Sequence, residues 1–357
     1  MRAVLESAMN MSIVEATRSI TGGVDTHLEV HVAAVLDHVG GLLGVESFAV
    51  GPAGYEELLA WMESFGEVGK VGVEGTGSYG AGLARFLTRH GITVIEVDRP
   101  NRAERRRSGK SDPLDAAEAA RAALSGRAKG LPKSRDGSVE AIRMLLVAKR
   151  SARQARVKAL VQMRHLVITA PEELQHRLKG LTTSRLVIAA SRLRGDRSSD
   201  PVVAGAKVAL SALAHRIQSL DLEIADLEAR IFVLVEQTAP ELLGRFDVGP
   251  DTAASLLVAA GDNPERLHSE AAFAHLCGVS PIPASSGKTN GHVRLDSGGN
   301  RQANSALWRI VIVRIAHDPR TTAYFERKMK EGCSKRDVIR ILKRYVAREL
   351  YRYLPRG

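Results

Sequence analysis

Cysteine is scarce in this 357-residue chain: only Cys277 and Cys333 occur, and they form no Cys-x-x-Cys pair. That excludes a disulfide framework and a zinc knuckle, and it suits two small buried residues in a reducing compartment. Aromatic residues are equally thin at 4%, which argues against base-stacking platforms as the main way of reading single strands. No apolar run approaches the roughly 20 residues that a bilayer-spanning helix needs. The segment from Met1 to Ile20 carries Glu6 and Glu15 and lacks the continuous apolar stretch of a signal peptide. A soluble, cytoplasmic protein is therefore expected. Acid is in deficit too, with 40 Asp and Glu against 51 Lys and Arg, a net charge of +11. Such an excess fits a polyanionic partner, and clustering along the chain says more than the total.

The first third alternates between strand and helix patterns. Strands are expected at Ser19 to Asp25, Glu29 to Leu36, Val45 to Gly51, Val68 to Glu74 and Ile92 to Val97. Helical spacing occupies Tyr55 to Phe65 and Gly80 to His90. Hairpin strands followed by strand–helix–strand units give a mixed α/β sheet, the order of a ribonuclease-H-like fold. From Asp112 the chain turns helical and Ala-rich. A linker with Pro132 and Gly137 runs from Gly126 to Ser138, and a long basic helix from Val139 to Thr169 is stopped by Pro171. Arg192 to Asp200 is a polar break.

Beyond it, Leu210, Leu213, Ile217, Leu220, Ile224, Leu227, Ile231 and Leu234 alternate spacings of three and four. That is the seam of a coiled coil, and it asks for a second long helix, in this chain or another. After Pro240 the stretch Phe246-Asp247-Val248-Gly249-Pro250 opens an apolar helix. It resembles a helix–hairpin–helix turn whose amides hold a DNA phosphate, and it is equally an ordinary Gly-Pro turn. A glycine is missing from that motif near Asp247. Arg327 to Arg352 reads as one basic helix.

Four carboxylates sit where an α/β nuclease would place them. Asp25 closes the first strand in Gly-Val-Asp-Thr-His, and Glu74 closes a later one in Val-Glu-Gly-Thr-Gly. Asp112 and Asp115, three apart in Ser-Asp-Pro-Leu-Asp-Ala, share one helix face. Converging anions repel unless a cation neutralises them, and Mg²⁺ or Mn²⁺ takes carboxylate and water ligands. Helix capping is the competing explanation of the last pair: Asp112 before Pro113 makes a good N-cap, and Asp115 suits the helix dipole. Gly75 to Gly80 lacks the lysine of a phosphate loop.

Further on, Ser285-Ser286-Gly287-Lys288 forms a polar turn, followed by Arg294 and by Gly299-Asn300-Arg301. A hydroxyl beside cations suits attack on a phosphodiester, although a serine in a glycine turn is usually only a turn residue. Two basic groups flank these sites. One is Arg99, Arg102, Arg105, Arg106, Arg107 and Lys110, just before Asp112. The other lies along the long helix as Arg143, Lys149, Arg150, Arg153, Arg156 and Lys158. Both are candidates to grip nucleic-acid backbone, with a solvated basic surface as the plain alternative.

Taken in order around the heptad seam, the Gly-Val-Asp-x-His, Val-Glu-x-Thr-Gly, Lys-Ser-Asp-x-x-Asp-Ala and Ser-Ser-Gly-Lys segments resemble the DEDD-type insertion-sequence transposases. That is the family of the bridge-RNA-guided recombinases and the Piv pilin-gene invertase. The resemblance implies a RuvC-like DEDD domain at 19–130, a helical linker and coiled coil at 138–238, and a mainly helical, serine-containing transposase domain at 239–352. It further implies that Asp25, Glu74, Asp112 and Asp115 hold divalent ions and that Ser286 is the nucleophile, with Ser285 its neighbouring competitor. A covalent phosphoserine intermediate, a homodimer or homotetramer, and a structured non-coding RNA that pairs with donor and target DNA are implied as well.

Three rival readings follow from the same residues. A water-using, metal-dependent junction nuclease would leave Ser286 structural. A tyrosine recombinase would use His317, Arg320 and Tyr351, and would leave the carboxylates unexplained. A non-catalytic nucleic-acid-binding protein would make those carboxylates caps.

Overall fold

The computed structural model describes residues 19–97, 111–195, 199–284, 293–296 and 298–355, with backbone alone at 264 and 293–295. The chain divides into two compact units, residues 1–135 and 136–357.

The first unit is built on a five-stranded sheet in the order β3-β2-β1-β4-β5. Its strands are β1 (Ser19–Thr26), β2 (Val30–Leu36), β3 (Leu42–Ala49), β4 (Glu67–Glu74) and β5 (Thr93–Val97). β1, β2 and β3 pair antiparallel, whereas β1, β4 and β5 run parallel, so their C-terminal ends emerge on one edge. Helices α1 (Pro52–Glu63) and α2 (Ala81–Arg89) pack Leu58, Leu59, Met62, Leu83 and Leu87 onto β-sheet residues such as Val24, Val71 and Val73. Helix α3 (Asp112–Leu124) supplies alanines instead: Ala116, Ala117, Ala119, Ala120, Ala122 and Ala123 are all buried. It meets two glycines of the sheet. A Cβ at Gly23 would lie 2.2 Å from the Ala120 amide nitrogen, and one at Gly72 would lie 2.4 Å from the Ala119 carbonyl oxygen. Small residues on both sides let the helix backbone touch the strands. The expected linker after α3 is partly tied down, with Glu96 N–H donating to the Gly130 carbonyl at 2.7 Å.

The second unit is mainly helical. Its long members are α4 (Ser138–Thr169) and α7 (Pro201–Thr238), joined through α5 (Glu172–Leu178) and α6 (Thr183–Ser191). Asp200 caps α7, accepting from the Val202 and Val203 amides, with Pro201 at the first helical position. The heptad seam is used within the chain. Ile231 shares one buried cluster with Ile142 and Leu146, while Leu210 and Ile217 share another with Ala159 and Met163, so α4 and α7 lie antiparallel.

The remaining helices are α8 (Pro240–Leu243), α9 (Pro250–Ala260), α10 (Glu270–Leu276), α11 (Arg301–His317), α12 (Pro319–Lys330) and α13 (Lys335–Leu350). A short hairpin, β6 (Pro281–Pro283) with β7 (Val293–Leu295), stands between α10 and α11. The single basic helix expected over Arg327 to Arg352 is two helices and a terminal 3₁₀ turn. Gly332 adopts φ 89° and Ser334 caps a fresh start, its Oγ accepting from the Asp337 amide. A left-handed glycine followed by a serine cap ends one helix and begins another, and the basic periodicity continues across the break and masks it. No helix among the described residues is long and apolar enough to cross a membrane.

Candidate metal centre and nucleic-acid surface

Asp25 and Glu74 end neighbouring parallel strands, with Val24 opposite Val73 in the register. Thr26 ties the two ends together, its hydroxyl donating to the Glu74 carbonyl at 2.8 Å. Directly after Glu74 the chain turns through Gly75 at φ 72°, a conformation that glycine adopts without strain.

Helix α3 delivers the other two carboxylates. The residue in the N-cap position is Ser111 rather than Asp112, which occupies the first helical turn with Pro113. Capping therefore does not account for Asp112. Its carboxylate approaches His27 instead, and Oδ1 lies 3.5 Å from Nε2. Asp115 is buried on the same helix.

His27, in the turn after β1, joins this group. Its Nε2 lies 3.1 Å from Asp25 Oδ2, and ligand atoms of Asp25, His27 and Asp112 all fall within 4.8 Å of one another. Burial pushes the Asp25 carboxyl above the ordinary carboxylate range. The His27 imidazole opposes that shift, while the neighbouring Asp115 and Asp112 charges add to it. A buried carboxylate crowded by two others is the electrostatic signature of a place that a cation would relieve. His27 Nε2 is covered and faces the Asp25 and Asp112 carboxylates. These donors fit a divalent ion. Asp115 acts on Asp25 through its charge, and Glu74 ends the neighbouring strand. Sequence spacing passed over His27 as a ligand, although the Asp-x-His step held the signal: residues two apart at a strand end both reach the same edge.

Several candidate residues fall outside the described segments. Ser285, Ser286 and Lys288 do so, as do Arg99, Arg102, Arg105, Arg106, Arg107 and Lys110. Arg294 is paired through its backbone with Ile282 in the β6–β7 hairpin. Arg301 opens α11 and is exposed.

The base of that hairpin is held firmly. Gly278, at φ 64°, and Gly299 are in backbone contact, so a Cβ on Gly299 would meet the Gly278 Cα at 2.2 Å. From α11, Asn304 Nδ2 donates to the Cys277 and Gly278 carbonyls at 2.9 and 3.0 Å. The buried Lys343 in turn donates to Asn304 Oδ1 at 2.8 Å, and burial pulls its ammonium below the ordinary lysine range. Cys277 is buried and its thiol is pushed up to about 12, so it is inert packing.

Along α4 the cations separate into two kinds. Arg153 is exposed, 3.9 Å from Asp251, and Arg150 is half-buried. Arg143 is taken up by Glu140, and Arg156 by Asp221 of α7. Lys149 is buried, with Nζ 2.5 Å from Asp251 and 2.9 Å from Glu228. It is a structural tie among α4, α7 and α9 and is not offered to a nucleic-acid backbone. Tyr351 is also structural: its ring packs beside Phe273 and its hydroxyl donates to the Leu267 carbonyl at 2.9 Å.

The turn before α9 resolves the question of the missing glycine. Asp247 itself adopts φ 64°, the left-handed conformation that glycine would take there. Burial raises its carboxyl above the usual range, against the pull of Arg314 and His317.

Residues 22–194 match a transposase family model of the IS110 DEDD type, and residues 246–326 match a model described as "Transposase IS116/IS110/IS902 family". Between them they take in most of the chain. Among curated proteins, the chain is 27% identical over 150 residues to an uncharacterized 42 kDa protein of insertion element IS900 from Mycobacterium paratuberculosis. That match spans 41% of this chain and 38% of the relative. It is 30% identical over 130 residues to an uncharacterized 43.6 kDa protein of insertion element IS110 from Streptomyces coelicolor, over 35% of this chain and 31% of the relative. Both matches thus cover well under half of the relatives' own length.

Proposed function

Because this chain belongs to the IS110 family of transposases, we propose that it is a DNA recombinase that cuts and rejoins DNA at the ends of an insertion sequence. The observation that carries this reading is the meeting of Asp25, His27 and Asp112 at one sheet edge, with the Asp115 charge acting on Asp25 and Glu74 at the end of the adjoining strand. The strand order 3-2-1-4-5, with the acidic residues at the ends of its two central strands, supports the RuvC-like assignment of the first unit. A divalent ion, Mg²⁺ or Mn²⁺, supplies Lewis-acid polarisation of a phosphodiester when bound there.

The chain's own residues do the rest. Asp25, Glu74, Asp112 and Asp115 hold the cation and orient the scissile phosphate. Ser286 is the nucleophile: its Oγ–P bond forms as the phosphorus–sugar oxygen bond breaks, and the departing sugar oxygen takes up a proton. A sugar hydroxyl of the second DNA then attacks the phosphoserine, restoring the serine and joining the strands. Bond energy is conserved throughout, so no nucleotide cofactor is needed. Lys288, Arg294 and Arg301 neutralise the phosphate charge around Ser286, while Arg102, Arg105, Arg106, Arg107, Lys110, Arg150 and Arg153 bind nucleic-acid backbone. A structured non-coding RNA supplies the sequence specificity, and copies of the chain assemble as a homodimer or homotetramer. These last two elements rest on the family resemblance.

The test is cleavage and joining of labelled element-end DNA by the purified protein with Mg²⁺ or Mn²⁺ and the element's flanking transcript. Joined product that requires the ion and is lost in Asp25→Ala and Asp115→Ala is expected. Equal product from Asp25→Ala would overturn the reading and favour a binding protein whose carboxylates are structural.

A further inference from the structure

We infer that His27 is a nitrogen ligand of this centre and makes it select Mn²⁺ over Mg²⁺, an inference resting on the metal-dependent reading above. Neighbouring ligands of an octahedral ion with bonds of about 2.1 Å stand roughly 3.0 Å apart. His27 Nε2 lies 3.1 Å from Asp25 Oδ2 and 3.5 Å from Asp112 Oδ1, close to that spacing for both.

The local chain holds the ring there. The His27 amide donates to the Val30 carbonyl at 3.2 Å, closing the β1–β2 turn that aims the side chain back at the strand end. Nε2 is shielded from solvent, with the Asp25 and Asp112 carboxylates as its neighbours. A covered ring nitrogen set between two carboxylates stands where an ion held by both would take it as a further donor. The ring as a whole is 40% exposed, which leaves an open flank for an ion to enter.

Chemistry then sets the preference. Mg²⁺ is hard, holds its water tightly and is served by oxygen donors, whereas first-row transition ions accept imidazole readily. An all-carboxylate tetrad would have no reason to distinguish the two ions by donor type. A mixed nitrogen–oxygen set does. His27 is thus a specificity-determining ligand rather than a bystander that pairs with Asp25.

The experiment reads ion binding directly, with no turnover. Full-length protein is titrated with Mn²⁺, free ion is counted by electron paramagnetic resonance, and the bound ion is examined for nitrogen modulation of its spin echo. Wild type, His27→Gln, His27→Asp and Asp25→Asn are compared, with Mg²⁺ as competitor. Wild type is expected to show nitrogen modulation. In His27→Gln that signal vanishes and Mn²⁺ affinity falls about tenfold or more, with Mg²⁺ affinity changed less than about threefold. His27→Asp keeps an ion but no nitrogen signal, and its preference moves toward Mg²⁺. Bound Mn²⁺ that lacks nitrogen modulation in wild type and binds His27→Gln equally well overturns the inference and leaves the carboxylate site standing. Absence of any Mn²⁺ binding that Asp25→Asn removes would instead bring down the metal reading beneath it.

Discussion

Gly23 of β1 and Ala120 of α3 are in backbone contact, with no room for a side chain between them: a Cβ added at Gly23 would lie 2.2 Å from the Ala120 amide nitrogen and 2.3 Å from the Ala116 carbonyl oxygen. This contact does more than pack a helix. Two residues beyond Gly23 is Asp25, and Asp112 and Asp115 ride on α3, so the separation of strand and helix sets the spacing of the site.

Gly23→Ala must therefore lift α3 from the sheet. The expected cost is on the order of 3 kcal/mol of stability, as for overpacking of a tight core. A loss of divalent-ion affinity larger than any loss of folded protein should accompany it. Chemical denaturation and Mn²⁺ titration on the same sample check both. Unchanged ion affinity would separate helix seating from site geometry.

Asp25 trades stability for function. Its carboxyl is held above the ordinary range by burial, so the folded ion-free protein binds that proton more tightly than the unfolded chain does. The resulting stabilisation is present at low pH and is lost as pH rises from the usual carboxylate value of 3.8 up through the raised one. Relative to wild type without ion, Asp25→Asn should melt several degrees higher at neutral pH, and the gap should close below that window. Added Mn²⁺ should raise the wild-type midpoint and leave the variant's alone. A gap independent of pH would contradict this account of the site's electrostatics.

The general architecture of the first unit is legible in the sequence, because strand periodicity and helix spacing report local burial. All five strands and both early helices stand within a few residues of the expected positions, and Asp25 and Glu74 close strands as read. The heptad seam announces a long partner helix without saying which. Its partner is α4, because Ala152, Ala159 and Met163 present a narrow enough face on a helix whose surface otherwise looks basic. Three features stayed hidden for physical reasons. His27 looks like a turn residue until β1 and α3 are brought together. Lys149 reads as surface charge because nothing local predicts that Asp251 and Glu228 will close over it. The break at Gly332 vanishes in a run of evenly spaced cations.

The Lys149 tie supplies a third prediction. Removing Asp251 leaves a buried ammonium with only Glu228, so Asp251→Ala should cost about 2–3 kcal/mol, below the full cost of orphaning a buried ion. Lys149→Met, which fills the volume without a charge, should be near neutral. The double variant should lose little more than Lys149→Met alone. Urea denaturation of all three checks this, and additive losses would show that the two residues act independently.

At the turn before α9, Asp247 carries the left-handed backbone at φ 64° together with a carboxyl pushed up by burial. Asp247→Gly should relieve both and stabilise the protein by about 1 kcal/mol, whereas Asp247→Val should destabilise it by at least as much. Thermal melting distinguishes them, and a loss of stability in the glycine variant would mean that the carboxylate holds the turn.

The central claim is serine attack at a metal-dependent site, and covalent trapping tests it most directly. Purified protein, Mn²⁺, element-end DNA and the flanking transcript are resolved on a denaturing gel beside Ser286→Ala, Ser285→Ala and Asp25→Ala. A denaturation-resistant protein–DNA adduct is expected in wild type and Ser285→Ala, and none in Ser286→Ala or Asp25→Ala. DNA cleavage that proceeds without an adduct and survives Ser286→Ala would contradict it and identify a nuclease that uses water.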